Sequence, residues 1–507
     1  MRIQLRSLVV AVVATAGCKG TELLLPAPTT ITISPTAVQF ASVNRSRQLT
    51  AVVLDQRGAP FPGAQVTWST GNTAIANVSA AGVVTSAGGG STQITATEGH
   101  ASASITVDVT QVPAAIAKDT GDGQTGLVGF AVNVPPAVIV RDSGGAPIPG
   151  VQVTFTVTGG GGGVTGASPL TGSNGVASVG GWTVQSGFNT LGASVTESGV
   201  TSNPLSFAAT GVTGTYNIEV RPLTTLSPTQ QAAFDSAAAR WQRLIYGDVP
   251  DVPVNIPGDT IKKYCIGDGP TPPTVNETID DIVIFAFLDS IDGPGGTVGQ
   301  AAPCTLRASY LPLIGVMRFD TADVARLESG GLLDEVILHE MGHVLGFGTI
   351  WSAAFLRLLV GPASQGGTDP HFVGPQAIAA FNRIGGTGYT AGAKVPVENC
   401  LPPTMCPDGG GGIRDSHWRE SVFRNELMTE FINAKADPLS VVTIASMGDE
   451  GYQVNYAGAD SFSLSFAAAA LRASEAAPAI QLGDDVLKLP MHIVDGQGRV
   501  MRVVMPQ

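Results

Sequence analysis

Charge is scarce in this chain: of 507 residues only 13% are Asp, Glu, Lys or Arg, and the formal balance is −13. A thinly charged, acidic chain lacks the basic footprint that nucleic acid or an anionic membrane surface would require. Cysteine is also sparse, at five, and histidine at six, so any site built from them uses few candidates. The apolar run at residues 8–14 is too short to span a bilayer as a mature helix, and Arg472 and Glu475 interrupt the Ala-rich stretch near the C-terminus. What is plentiful is glycine, at 64, and proline, at 34. That composition fits turn-rich, β-rich extracellular modules, and the length fits about three or four domains of ~100–200 residues.

One stretch carries chemistry. Leu333, Val336, Ile337, Met341, Val344 and Leu345 recur at helical steps, which predicts an amphipathic helix through His339-Glu340-Met341-Gly342-His343. In H-E-x-x-H the histidines at i and i+4 share a face and can converge on one cation, with the glutamate beside them. Two neutral imidazoles and a third protein ligand suit zinc and leave one position for water, whose pKa falls toward roughly 7. Glu340 is then the general base. Gly346 is placed to end the helix, since glycine tolerates a positive φ. The bland reading, a buried helix whose histidines only satisfy hydrogen bonds, stands beside this one until a third ligand is found.

From the N-terminus, Arg2 and Arg6 followed by the apolar run read as a signal peptide. Thr15-Ala16-Gly17-Cys18 resembles a bacterial lipobox, which implies export and a lipid anchor on Cys18 at the end of a 1–18 leader, with residues 19–29 as a tether. An internal repeat follows: G-A-P-x-P-G-x-Q-V-T begins at Gly58 and again at Gly145. Alternating segments around each copy, bounded by Gly, Pro, Asn and Asp, predict two all-β sandwiches over 30–111 and 112–213. The first resembles the group 2 bacterial immunoglobulin-like domain through residues 30–35, Val66-Thr67-Trp68 and 81–85. The second resembles the invasin-type group 1 domain through 151–157, the glycine run at 159–163 and Gly181-Trp182-Thr183. Trp68 and Trp182 lie in alternating strands and are expected in the cores. A surface ligand of these modules is one implied partner.

After residue 213 helix and strand signals mix. Ser227-Pro228-Thr229-Gln230 is a capping-box start for a helix to about Tyr246, while 282–288 and 316–319 read as buried strands. Among the remaining histidines, His371 sits in a turn-like setting, whereas His417 precedes Glu426-Leu427-Met428. His339 to Gly346 gives H-E-x-x-H-x-x-G, the opening of the metzincin signature, although position 349 is Thr where compact metzincins place a third histidine. Residues 214–458 resemble the leishmanolysin family of metzincin zinc proteases, through His339 to Trp351, His417-Trp418, Glu426-Leu427-Met428 and Gly451 to Tyr456. The resemblance implies an α+β zinc endopeptidase acting on polypeptides, with His339, His343 and His417 as ligands, Glu340 as acid and base, and Met428 as the floor beneath the metal. It gives no cysteine-bearing propeptide. Cys265, Cys304, Cys400 and Cys406 form an even set in an exported region; of three connectivities, Cys265 with Cys304 and Cys400 with Cys406 is the expected one. Residues 459–507 read as a small cover or tail. A rival function is a surface adhesin or binding lipoprotein with an inactive protease domain, which the intact Glu340 argues against.

Overall fold

Strand-forming alternation dominates the first two hundred residues of the computed structural model, which describes residues 25–399, 414–432, 436–464 and 480–505. Cys18, Cys400, Cys406, Arg472 and Glu475 lie outside the described residues, as do both halves of the expected Cys400–Cys406 pair. Between Pro28–Ser34 and Ala101–Val109 the strands close on one apolar core that includes Ile33, Leu49, Val84, Ile94 and Val107. Its largest sheet pairs Ala37–Phe40 in parallel with Ala101–Val109, then runs antiparallel to Gly90–Glu98 and Thr67–Thr70. Between Pro113–Thr120 and Leu205–Val212 a second core forms around Val140, Phe155, Leu191 and Phe207. Trp182 is fully buried in that second core, and Trp68 is partly buried against the first. The repeat's two aspartates do the same job in each copy. Asp55 accepts from the backbone N–H groups of Arg57 and Ala59, and Asp142 from those of Gly144 and Ala146, closing equivalent turns.

The rest of the chain is built on a six-stranded mixed sheet. Its strands are β1 (Ile218–Pro222), β2 (Ile282–Asp289), β3 (Gly299–Arg307), β4 (Pro312–Asp320), β5 (Met491–Val494) and β6 (Val500–Val504), in the spatial order β1-β2-β4-β3-β5-β6. β2 and β4 are buried along nearly their whole length, as their continuous apolar runs require. Helix α1 (Pro228–Leu244) starts at Ser227 with the full capping box and packs against helix α2 (Leu333–Leu345), which lies across β3 and β4. A Cβ on Gly315 of β4 would stand 2.3 Å from Val344 Cγ1, so glycine there is what lets the helix approach the sheet. Cys265 and Cys304 are disulfide-bonded, tying β3 to the turn at Lys262–Ile266.

The sequence reading stops this unit at residue 458 and leaves 459–507 as a cover or tail. The structure instead takes β5 and β6 from that stretch into the central sheet, with β5 parallel to β3 and β6 antiparallel to β5. β3 would be the sheet's edge without them, and covering an edge satisfies its unpaired backbone groups. Among the described residues no helix is long and apolar enough to cross a membrane.

Candidate metal centre

Helix α2 positions the first three site residues because most of it is buried: Val336, Ile337, Met341, Val344 and Leu345 on the core side, and His339, Glu340 and His343 also without solvent exposure. The helix ends at Gly346, whose φ of 126° is open to glycine and whose hypothetical Cβ would meet Glu450 at 2.5 Å. Thr349, at the position compact metzincins give to histidine, turns its hydroxyl back to donate to the His343 carbonyl at 2.9 Å. The chain then travels through an insertion that includes a small sheet of Leu359–Val360, His371–Phe372 and Val395–Pro396. It returns at His417, where Trp418 is bridged to Val397 and its N–H donates to the Met428 carbonyl at 3.0 Å.

This return brings His417 to the helix histidines. The Nε2 atoms of His339, His343 and His417 lie 2.9–3.1 Å from one another. Their outer nitrogens are held separately. Nδ1 of His339 faces the Leu427 carbonyl at 2.7 Å, that of His343 the Phe347 carbonyl at 2.8 Å, and that of His417 the Ser416 hydroxyl at 3.2 Å. A backbone carbonyl can only accept, so His339 and His343 carry their protons on Nδ1 and turn Nε2 lone pairs inward. Burial pushes the pKa of His339 down and that of His343 well down, favouring the neutral form that a metal requires. His371 stays outside this cluster. Its Nδ1 bonds the Asp369 carbonyl at 2.8 Å, and it pairs in the small sheet.

Met428 lies beneath the helix, fully buried, with its Cε 2.9 Å and Sδ 3.0 Å from where a Cβ on Gly342 would be. The turn that carries it is fixed by Glu426, whose carboxylate accepts from the N–H groups of Met428 at 2.7 Å and Ser440 at 2.9 Å, and from the Thr443 hydroxyl. Behind the site Trp351 donates to Glu450 at 2.7 Å, Trp418 to Thr443 at 2.8 Å, and Tyr452 to the Leu345 carbonyl at 2.9 Å. Glu340 differs from all of these. It is fully buried, yet neither carboxylate oxygen has a hydrogen-bond partner among the described residues. Burial, and then the neighbouring Asp485, holds its pKa well above the ordinary carboxylate value.

One residue of the cluster was not anticipated from sequence. Asp485 Oδ2 stands 2.9 Å from His417 Nε2, 3.3 Å from His339 Nε2 and 3.8 Å from His343 Nε2, and the side chain is fully buried. These four residues could hold a metal ion together. The donor chemistry fits: a tetrahedral zinc with bonds of about 2.0–2.1 Å wants its nitrogens roughly 3.3 Å apart, a few tenths of an ångström from the spacing here.

Three inward imidazoles beside an unpartnered buried glutamate thus form a cluster that could hold a metal ion. Residues 252–364 match the family model for leishmanolysin, a span that contains His339, Glu340, His343 and Gly346, while His417, Met428 and Asp485 lie beyond it. At family level the match supports a metalloprotease. No curated protein matches the chain. Solved structures similar to it include the Yersinia pseudotuberculosis adhesin InvE, at 19% identity over 36% of this chain and 58% of that one, with a TM-score of 0.23. Another is invasin, a bacterial integrin-binding protein, at 18% identity over 37% of this chain and 40% of that one, with a TM-score of 0.27. The Escherichia coli adhesin FdeC is similar at 17% identity over 37% of this chain and 66% of that one, with a TM-score of 0.22. The chain thus spans less than two thirds of each of these, and the likenesses are weak.

Proposed function

We propose that this chain is an exported zinc endopeptidase of the metzincin type, carried on two immunoglobulin-like sandwiches and anchored to a bacterial membrane through a lipid on Cys18. The observation that carries the catalytic part is the meeting of three Nε2 atoms within 2.9–3.1 Å beside a buried Glu340 with no partner. His339, His343 and His417 would hold the zinc. Zinc supplies a Lewis acid that acidifies water and polarises a peptide carbonyl. Glu340 would take the proton from the attacking water and hand it to the leaving amine, and its buried carboxylate with no other partner is free to do so. Met428 and Glu426 keep the carbonyl that orients His339 in place. A polypeptide substrate would lie extended along residues 299–302 of β3, ahead of the part that β5 covers, and draw on the main-chain hydrogen-bonding groups there. The sandwiches, and any surface ligand they bind, serve to place this site.

The ligands and the base should separate by phenotype. His417→Ala should lose zinc, His371→Ala should keep it, and Glu340→Gln should keep it while losing whatever hydrolysis of an unfolded protein the parent shows; full zinc in His417→Ala would sink the ligand assignment. Cys18→Ser should release the protein from membranes, and unchanged partitioning would remove the anchor from this account.

A further inference from the structure

Residues 480–487 cross the mouth of the metal centre from one wall to the other. On one side Ile480–Gln481 pairs with Phe431–Ile432, just past the Met428 turn, and the Leu482 N–H donates to the Glu430 carbonyl at 3.1 Å. On the other side Ala301 of β3 donates to the Asp485 carbonyl at 2.7 Å and accepts from the Leu487 N–H at 3.0 Å, while Gln300 donates to the Asp484 carbonyl at 2.5 Å. Val486 runs parallel to Ala301 in this pairing. Between the two anchors the Asp485 carboxylate turns inward, and its oxygens have no hydrogen-bond donor among the described residues beyond the three imidazoles it approaches.

A buried carboxylate is strongly disfavoured unless something compensates its charge. Neutral imidazoles do so poorly; a cation at their centre does so well. The same stretch uses the backbone groups of β3 that an extended substrate would use, and it presents the Asp485 carboxylate 2.9–3.8 Å from the three Nε2 atoms. We propose, building on the zinc-site reading above, that Asp485 is a fourth ligand supplied by the chain itself and that residues 480–487 occupy the substrate's place, so that the protein as folded is a closed, latent metal centre. No covalent step is involved. Opening requires only that this stretch leave β3 and Asp485 yield its position to water or substrate.

The test uses the full chain, its Asp485→Ala variant and a Leu487→Pro variant, which keeps the carboxylate but removes the N–H that bonds Ala301. Each is loaded with cobalt(II), whose visible spectrum reports its donors, and titrated with acetohydroxamate, a small bidentate anion; zinc affinity is measured in parallel by chelator competition. Circular dichroism checks that each variant is folded. Asp485→Ala should change the cobalt spectrum, bind zinc about tenfold or more weakly, and bind acetohydroxamate about tenfold or more tightly than the parent. Leu487→Pro should bind acetohydroxamate with intermediate strength. A merely structural aspartate would not move the two affinities in opposite directions. Unchanged spectrum and affinities in Asp485→Ala, with cobalt bound, would overturn the fourth ligand and leave the three-histidine centre standing; failure of the parent to bind cobalt or zinc at all would overturn both.

Discussion

Gly348 is where one methyl group would reach the metal centre from outside it. Its φ is +73°, and a Cβ there would stand 2.2 Å from the Ser416 carbonyl oxygen, a backbone atom next to His417. Neither partner can give way cheaply, because the neighbouring Asp415 and Trp418 are held by Ala363 and Met428. Gly348→Ala should therefore cost about 1–3 kcal/mol of stability and push His417 off the other imidazoles. Thermal unfolding with and without zinc checks this: the variant should melt lower and gain less from the metal, and an unchanged zinc-dependent gain would contradict it. At this scale the sequence was informative where ligands share an element. His339, Glu340 and His343 are one helix turn apart, so periodicity alone aligns them, and His417 could be found because Met428 lies just downstream of it. Asp485 had no such signal: it is one of 40 acidic residues, and its place depends on the path of a segment that carries no motif.

Helix α1 and strands β2 and β4 were legible because each has a local signature, a capping box in the first case and a largely apolar run in the others. β3 was not. Its sequence, Gly299 to Arg307, mixes Gln, Pro, Thr and Arg, yet all nine residues are buried. The buried charge is accommodated by geometry that no local pattern encodes: the Arg307 guanidinium donates to the carbonyls of Pro250, Asp280, Asp281 and Pro312. The β5–β6 hairpin was missed for a different reason. Its Asp495-Gly496-Gln497-Gly498 turn, with Asp495 donating to Arg499 and accepting from Gly498, is a usable hairpin signal between two short alternating runs. Read as a hairpin, it would have extended the catalytic unit past residue 458 and drawn notice to the acidic pair just before it.

Across the whole molecule, the second sandwich meets the catalytic unit through Asn133, whose side chain donates to the Val454 carbonyl at 2.8 Å and accepts from the Tyr456 N–H at 3.0 Å. The segment it grips, 452–456, also supplies Tyr452 to the end of α2 and pairs Val454 with Ile245, so the support is continuous from the sandwich to the helix that carries His339 and His343. The sandwiches were readable from their repeat, since turn chemistry is written locally, whereas the approach of Asp485 to the three histidines depends on how segments far apart in the chain pack together. What has to hold is peptide hydrolysis at this centre with Glu340 as the base. It is tested most directly in the opened protein, by comparing digestion of an unfolded protein by zinc-loaded Asp485→Ala and by zinc-loaded Asp485→Ala/Glu340→Gln. The first should digest it, and the second should be slower by about 10²-fold or more at equal zinc content; equal rates, or no digestion by either with zinc bound, would contradict the claim, the latter in favour of a binding lipoprotein.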